Sequence, residues 1–397
     1  MRTSYRDIAL LACCQALLLI NNAGLISMNG LVGYSLVENK VFATLGATAF
    51  VVGSALAAMP AALWMAKVGR RRGFMTGSTI AVAGSATCAL ALWISSFALF
   101  CFGTAVIGIY TAFGLQYRFA AAEVAAPEFR AKAISLVLAG GIAGGFLGPQ
   151  ASLWAKDIFP VPFLGSFLVL SAIALVALGV QSQVRVPPPT MEEKRGGGRP
   201  LPQIMRQPVF IVAALSAALG YGIMNLLMTA TPLAMSFCSH PFSAAAFVIE
   251  WHVVGMYAPG FFTGSLIRRF GALKVIAVGV LLMGACVTVA LSGVALWQFW
   301  GALVLLGVGW NFMYTGGTTL LIEAYRPAEK AKTQGMNDVI VFSVMSVSSF
   351  SSGALVSVAG WEWMNLGALP FLVIVACAVL WLMLSRRQNA RVTGEAT

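Results

Sequence analysis

Sulfur and imidazole side chains cluster in one stretch of the 397-residue sequence. Both histidines of the chain, His240 and His252, lie there, and the pairs Met224/Met228 and His252/Met256 have the one-turn spacing of an α-helix. Thioether and imidazole ligands suit the soft ion Cu(I), and a set without carboxylates disfavours Mg²⁺, Ca²⁺ and Mn²⁺. The four paired side chains are therefore a candidate metal pathway.

The register along the chain places these side chains at matching levels. Met228 and His252 each lie 12 residues from His240, and Met224 and Met256 each lie 16 residues from it. If two antiparallel helices meet near His240, the four side chains form two rungs about 6 Å apart. The residues near that turn, where periplasmic metal would first be captured, are Met235, Cys238 and His240.

Each pair also has an explanation that involves no metal. Methionine is a common gap-filler on helices, and the chain has 17 of them, so the pair Met224/Met228 alone is better explained by packing. A lone histidine inside a membrane can also serve only to hydrogen-bond a neighbour. The agreement of both pairs in level favours the metal hypothesis over packing.

The composition indicates the elements that position these residues. Hydrophobic residues make up 59% of the chain and charged residues 10%, with a mean hydropathy of +0.86, whereas soluble domains carry about 25% charged residues. This excludes soluble enzymes, nucleic-acid binders and secreted disulfide scaffolds, and it predicts transmembrane helices. No constellation of acid, base and nucleophile is visible, so we predict that the chain is not an enzyme.

At about 20 apolar residues per span, the sequence predicts an all-α membrane protein of twelve transmembrane helices. The first six spans are 8–36, 42–66, 74–94, 97–122, 134–156 and 163–181. The second six are 209–237, 243–267, 273–292, 297–322, 336–358 and 366–384. The predicted organisation is a six-helix bundle over 1–181, a flexible cytoplasmic linker over 182–208, and a second bundle with a cytoplasmic tail over 209–397.

The basic residues fix the predicted orientation. Of the 25 lysines and arginines, 22 fall in the termini, the linker and alternate loops, which places both termini in the cytoplasm. The net charge of +12 is therefore a topology signal, and no nucleic-acid partner is expected.

The two halves of the chain repeat each other at a distance of 200 residues. The segment after span 4 holds Glu123, Pro127, Arg130, Ala131 and Lys132, and the segment after span 10 holds Glu323, Pro327, Lys330, Ala331 and Lys332. A parallel repeat of six helices is typical of secondary transporters.

Two loops carry a second repeated pattern. They read Ala62-x-x-x-Ala66-Lys67-x-Gly69-Arg70-Arg71 and Gly264-x-x-x-Arg268-Arg269-x-Gly271. With the twelve spans and the linker, they are similar to the G-x-x-x-D-R-x-G-R-R signature of the major facilitator superfamily. That resemblance implies two bundles and transport by alternating access.

The sequence departs from this signature at its acidic position, where Ala66 and Arg268 stand. The acids at the ends of spans 4 and 10 would then supply the gate. The gating candidates are Glu123 with Arg70, and Glu323 with Arg268. Ordinary helix-end charge is the alternative for both pairs.

The paired residues Met224, Met228, His252 and Met256 resemble the pattern of the CcoA-type copper importers, a branch of this superfamily found in bacterial inner membranes. That resemblance implies import of copper, as Cu(I), into the cytoplasm for cytochrome oxidase assembly. Copper is then the cargo and no cofactor is expected. The implied partners are the lipid bilayer and a cytoplasmic copper chaperone.

The related RfnT-type riboflavin importers supply the main alternative. An organic solute of that type would need a roomy cavity lined by aromatic residues such as Tyr110, Tyr117, Trp310 and Tyr314. A proton-coupled exporter is a third hypothesis, resting on the glycine-proline pattern at 144–149.

The deep charges are few. Glu250 in span 8 is the coupling candidate, since intramembrane carboxylates are costly and kept for function. Arg118 lies low in span 4, and Asp338 is interpreted as a charge at the start of span 11, near the positive helix end.

Overall fold

The computed structural model describes residues 3–38, 42, 45–188, 190–191 and 197–392; at 242, 243, 246, 353, 354, 357 and 389–392 only the backbone is described. Positions 189 and 192–196 of the predicted linker and positions 393–397 of the predicted tail lie outside these ranges.

The described chain is built of α-helices. In the first half they are α1 (Tyr5–Leu36), α2 (Leu45–Val68), α3 (Arg70–Trp93), α4 (Phe97–Gly114), α5 (Tyr117–Glu123), α6 (Arg130–Ala139), α7 (Gly141–Ala155) and α8 (Leu164–Gln181). In the second half they are α9 (Leu201–Met205), α10 (Pro208–Phe237), α11 (Phe242–Tyr257), α12 (Gly260–Phe270), α13 (Ala272–Leu291), α14 (Leu296–Leu321), α15 (Lys330–Val358) and α16 (Gly360–Val392).

Length and hydropathy make this a membrane fold. Within the described ranges, ten helical segments are long and apolar enough to cross a bilayer. Two further helical stretches, α11 continued by α12 and the 29-residue α15, bring the fold to about ten to twelve apolar helices. Helices satisfy their own backbone hydrogen bonds, which is the condition for crossing hydrocarbon.

The chain forms two compact units. The first comprises Met1–Gly197 and Pro327–Ser346, and the second comprises Gly198–Arg326 and Val347–Thr397. Helix α15 therefore contributes its first part to the first unit and its last part to the second.

The two ends of the predicted linker are more ordered than its polar composition suggested. Val184 is buried, and the backbone N–H of Arg185 donates to the Asp7 carboxylate at 2.8 Å. At the other end α9 buries Ile204, and Arg199 donates to Gln207 at 2.9 Å. Each end is thus held by its own unit.

Glycine lets some helices approach until their backbones touch. A Cβ atom on Gly53 of α2 would lie 2.1 Å from the Ala105 carbonyl oxygen of α4, and one on Gly108 of α4 would lie 2.1 Å from the Phe50 oxygen of α2. In the second unit, a Cβ on Gly307 of α14 would lie 2.6 Å from the His252 oxygen of α11. Small residues at helix contacts are typical of membrane bundles.

The two signature glycines share one backbone conformation. Gly69 precedes α3 with φ 88° and ψ 158°, and Gly271 precedes α13 with φ 85° and ψ 153°. A side chain is strained at such positive φ, so glycine is required where each signature loop turns into the next helix.

Candidate functional site

A buried ion pair lies in the first unit. The Arg118 guanidinium donates to the Asp338 carboxylate, and each side chain is 1% exposed. Gln116 Nε2 donates to the same carboxylate at 2.6 Å, and Asn337 Nδ2 does so at 3.3 Å. Because a buried charge is costly unless it is paired and hydrogen-bonded, these donors offset part of the cost of burying the Asp338 carboxylate.

The ion pair continues into a second one. Arg70 Nη1 donates to Gln116 Oε1 at 2.8 Å, and Arg70 Nη2 donates to Glu123 at 2.7 Å and to Gln334 at 2.6 Å. Lys330 Nζ lies 3.1 Å from Glu123. One network thus joins the start of α3, α5 and the first turns of α15, all within the first unit.

A break between α4 and α5 positions this network. Helix α4 ends at Gly114 and α5 begins at Tyr117, so Leu115 and Gln116 form the connection. Gln116 is fully buried there, and its amide contacts both Arg70 and Asp338. An amide suits this place because it can accept from one charged group and donate to the other.

Beside the network lies a small, partly open cleft. Its walls include Ala66, Arg70, Glu123 and Lys330. The alanine that replaces the acid of the signature pattern therefore borders the charges that the network holds together.

The second unit contains a buried imidazole. His252 of α11 is fully buried, and its Nδ1 lies 2.7 Å from the Leu303 carbonyl oxygen of α14. Its Nε2 has no hydrogen-bond partner among the described residues. The imidazole is therefore buried with one nitrogen, Nε2, that has no described hydrogen-bond partner.

Aromatic rings gather where α10, α11 and α14 meet. Trp310 and Tyr314 of α14 are stacked, with ring centroids 5.1 Å apart and an interplanar angle of 13°. Tyr221 of α10 contacts both rings edge-on at 5.4 and 5.5 Å, and Tyr257 of α11 contacts Trp310 at 5.8 Å. We call Tyr221, Tyr257, Trp310 and Tyr314 the aromatic cluster.

Comparison with known proteins identifies the family. A model of the Major Facilitator Superfamily matches residues 11–250 and 225–397. The chain belongs to this superfamily. It is a multi-pass membrane transporter and not an enzyme, and transport by this superfamily needs no cofactor.

Two relatives match nearly the whole length of this chain. The riboflavin transporter RfnT of Brucella anthropi is 39% identical over 373 residues, which are 93% of this chain and 94% of the relative. The uncharacterized MFS-type transporter YddS of Bacillus subtilis is 29% identical over 375 residues, 90% of this chain and 86% of the relative.

Solved structures agree on the fold. The Escherichia coli fucose:proton symporter FucP aligns with a TM-score of 0.74 at 16% identity, covering 95% of this chain and 99% of that one. A bacterial homologue of the iron transporter ferroportin, in an outward-facing state, aligns with a TM-score of 0.73 at 12% identity, covering 94% and 98%. At these identities the likeness concerns the fold alone.

The predicted gating residues lie in different environments in the two halves of the chain. Glu123 contacts Arg70, as described above, and the pair is largely buried. Glu323 instead pairs with Arg386 of α16 at 2.6 Å, where both side chains are nearly half exposed. Arg268, the partner that the loop pattern suggested, is exposed. The predicted pairing of Glu323 with Arg268 is therefore replaced by a pairing with Arg386, because the end of α16 lies next to Glu323.

Two aromatic residues of the predicted cavity belong to a core instead. Tyr110 and Tyr117 are fully buried in the hydrophobic core of the first unit. Tyr117 packs against Phe74 with centroids 4.6 Å apart and accepts a hydrogen bond from Gln181 at 2.7 Å. The sequence could not distinguish a helix face turned to a cavity from one turned to a core.

The predicted metal residues lie on α10 and α11 and differ in burial. Met224 and Met256 are buried and Met228 is partly buried. The two-rung arrangement assumed that α10 and α11 face each other, whereas His252 is directed at α14. Among the described residues, no group of three or more His, Cys, Asp or Glu side chains is placed to hold a metal ion.

The residues around the α10–α11 turn are also described. Met235 is buried and Cys238 is partly buried, close to the end of α10. His240 Nε2 lies 2.7 Å from the Val294 carbonyl oxygen. Glu250, the coupling candidate, is exposed on α11.

Sequence reasoning missed the pairing of Arg118 with Asp338, because 220 residues separate them. It placed Asp338 at a helix start, whereas the residue lies two turns inside α15. A signal was present, since opposite charges inside a membrane protein tend to pair. Tyr221 and Tyr257 were also missed, although both flank the methionine and histidine pattern.

Proposed function

We propose that this transporter imports riboflavin or a closely related planar heteroaromatic solute. The observation that carries the proposal is the aromatic cluster, in which Trp310 and Tyr314 stack and Tyr221 and Tyr257 meet them edge-on. Aromatic side chains that can stack on a flat ring suit a flavin. The 39% identity to a riboflavin transporter supports the same substrate class.

The proposed topology has twelve spans in a bacterial inner membrane, with both termini in the cytoplasm. The bundles would comprise 1–181 and 209–397, joined by the segment 182–208. The positions of 22 of the 25 lysines and arginines support this orientation.

In this scheme the charge network is a gate. Arg70 with Glu123, and Arg118 with Asp338, hold the first turns of α15 against α3 and α5. Alternating access requires a set of contacts that can form in one state and open in another. The exposed pair Glu323–Arg386 contributes less, because exposed ion pairs are weak.

Uptake of radiolabelled riboflavin tests the substrate. Cells that cannot make riboflavin would express the wild type, Trp310→Ala or Trp297→Ala, with membrane levels measured by immunoblot. We expect uptake by the wild type and a loss of about tenfold or more in Trp310→Ala, since stacking is worth about 1–3 kcal/mol per ring. Trp297 is 68% exposed and serves as the matched control.

Wild-type uptake no greater than that of empty-vector cells, at normal membrane levels, would overturn the proposal. Equal uptake by wild type and Trp310→Ala would remove the aromatic cluster from it.

Copper import is the second candidate, and one observation favours it. His252 Nε2 is buried without a described partner, and Met256 lies one turn further along α11. The proposed pathway would run from Met235, Cys238 and His240 to Met224, Met228, His252 and Met256, delivering copper for cytochrome oxidase assembly through a cytoplasmic chaperone.

Radioactive copper uptake separates the two candidates. Each of Met224, Met228, His252 and Met256 would be replaced by leucine, with Met283→Leu as a control because Met283 is buried on α13. Copper uptake lost in the four variants and kept in the control would favour copper. Undiminished copper accumulation in all of them would eliminate the pathway.

A further inference from the structure

The His252 imidazole is held in one tautomer. Its Nδ1 lies 2.7 Å from the Leu303 carbonyl oxygen, which can only accept a hydrogen bond. The neutral ring therefore carries its hydrogen on Nδ1 and has a lone pair on Nε2. In this tautomer, Nε2 can only accept a hydrogen bond.

A donor without a partner lies on the neighbouring helix. Trp310 Nε1, which can only donate, has no hydrogen-bond partner among the described residues, and the side chain is 2% exposed. An unsatisfied buried donor or acceptor costs about 1–3 kcal/mol. Buried polar atoms that lack a partner in a folded protein call for an explanation, and a ligand with the complementary groups supplies one.

The two helices that carry these atoms are locked together. Asn311 Nδ2 of α14 donates to the Met256 carbonyl oxygen of α11 at 2.7 Å, and Asn311 Oδ1 accepts from Thr263 at 2.7 Å. Close contact at Gly307 holds the same pair of helices. Sliding of α11 along α14 would break the bond from Asn311 to the Met256 oxygen, so we do not expect such a movement to bring a partner to either atom.

We propose that His252 and Trp310 recognise the polar edge of the transported ring. His252 Nε2 accepts a hydrogen bond from a ring N–H, and Trp310 Nε1 donates to a ring carbonyl. The ligand class is a planar heterocycle with a lactam or imide edge, bound beside Tyr257 and Tyr314. The inference rests on the proposed riboflavin-type function and adds the determinants of specificity.

The combination of one acceptor and one donor separates this ligand from a metal ion. A cation would use the lone pair of His252 Nε2, but the indole N–H of Trp310 has no lone pair to offer it. Since both atoms are enclosed in this structure, the ring reaches them only when neighbouring side chains or helices move. Such movement is part of alternating access.

A methylated analogue tests the acceptor without any mutation. Inhibition of radiolabelled riboflavin uptake would be compared between unlabelled riboflavin and N3-methylriboflavin, which lacks the imide N–H. We expect the methylated compound to require about 10- to 100-fold higher concentration in the wild type, because a site built to hydrogen-bond a donor rejects analogues without it.

Two variants assign the effect to the two side chains. In His252→Ala the difference between the two compounds should fall to within about threefold, because the acceptor is gone. In Trp310→Phe riboflavin should bind more weakly while the preference over N3-methylriboflavin is kept. Trp297→Phe, an exposed indole removed in the same way, should match the wild type.

Each outcome decides a different claim. Riboflavin uptake with equal inhibition by both compounds in the wild type would overturn the recognition of the N–H while leaving the proposed function intact. A preference that survives in His252→Ala would move the acceptor to another residue. Absence of riboflavin uptake in the wild type would overturn the proposed function and this inference together. If His252→Ala fails to reach the membrane, the wild-type comparison still decides the first claim.

Discussion

The junction of α5 with α15 and the junction of α11 with α14 handle buried polarity in opposite ways. In the first, the Asp338 carboxylate accepts hydrogen bonds from Arg118 and Gln116, so that a full ion pair is buried. In the second, His252 and Trp310 are neutral, and each leaves one polar atom without a described partner. The internal repeat makes the contrast sharper, because position 318, the counterpart of Arg118, is a threonine.

Buried polar groups that stabilise the fold therefore differ from those that are available to bind a ligand. A paired charge stabilises its own surroundings and leaves little for a solute to gain. An unpaired neutral atom destabilises the protein slightly and gains free energy when a solute supplies its partner. Four substitutions can break or sharpen this comparison, in descending order of expected effect.

The largest effect is expected from Arg118→Met, which leaves the Asp338 carboxylate buried without its cation. Removing one partner of a buried ion pair costs about 3–5 kcal/mol, whereas replacing both by apolar residues is often close to neutral. Thermal unfolding of the detergent-purified protein should show a large drop for Arg118→Met and recovery in Arg118→Met/Asp338→Leu. Equal losses in the single and double variants would contradict the assignment.

The second largest effect is expected from Gly307→Ala, because the added methyl group forces α14 away from α11. The added methyl group would lie 2.6 Å from the His252 oxygen and 2.8 Å from the Met256 nitrogen. Overpacking of this kind costs about 1–3 kcal/mol. Both unfolding temperature and riboflavin uptake should fall, while Gly284→Ala, with no atom within 4 Å, should retain both.

His252→Leu should separate stability from function. The substitution removes an unsatisfied buried acceptor together with the hydrogen bond from Nδ1 to the Leu303 oxygen, so the free energy of unfolding should change by no more than about 1 kcal/mol. Riboflavin uptake should fall by about tenfold or more, since the substrate loses its acceptor. A strong loss of stability would show that the imidazole is a structural residue like Arg118.

The smallest effect is expected from Glu323→Gln. Its ion pair with Arg386 is nearly half exposed, and such pairs contribute about 0.2–1 kcal/mol and weaken with salt. The matched substitution in the first half, Glu123→Gln, should lower the unfolding temperature more, because Arg70 and Lys330 both face that carboxylate. Similar shifts for both variants at low and high salt would contradict the difference in burial.

The membrane fold could be predicted from the sequence because its signals are local. Apolar stretches, glycines before α3 and α13, and the basic loops each act within a few residues. The repeat at 200 residues extended this reasoning to the superfamily. The break between α4 and α5 at Leu115 and Gln116 was not foreseen, since it depends on contacts of Gln116 with Arg70 and Asp338.

The site was harder to predict because it depends on helix rotation and on distant partners. Spacing put His252 and Met256 on one face of α11, but it could not show that the imidazole meets Leu303 of α14. Likewise the aromatic residues of α4 and α14 look alike in sequence. The structure packs Tyr110 into a core and gathers Trp310 into the aromatic cluster.

The contact between α2 and α4 has a consequence for following this transporter in motion. At Gly53 and Gly108 the two backbones touch, and Ser54 Oγ donates to the Gly108 carbonyl oxygen at 2.9 Å. Carbonyl groups pressed so close leave no room for one helix to slide or tilt against the other. A pair of spin labels on α2 and α4 should therefore report one constant separation through the whole cycle, an internal ruler against which the displacement of every other helix can be measured.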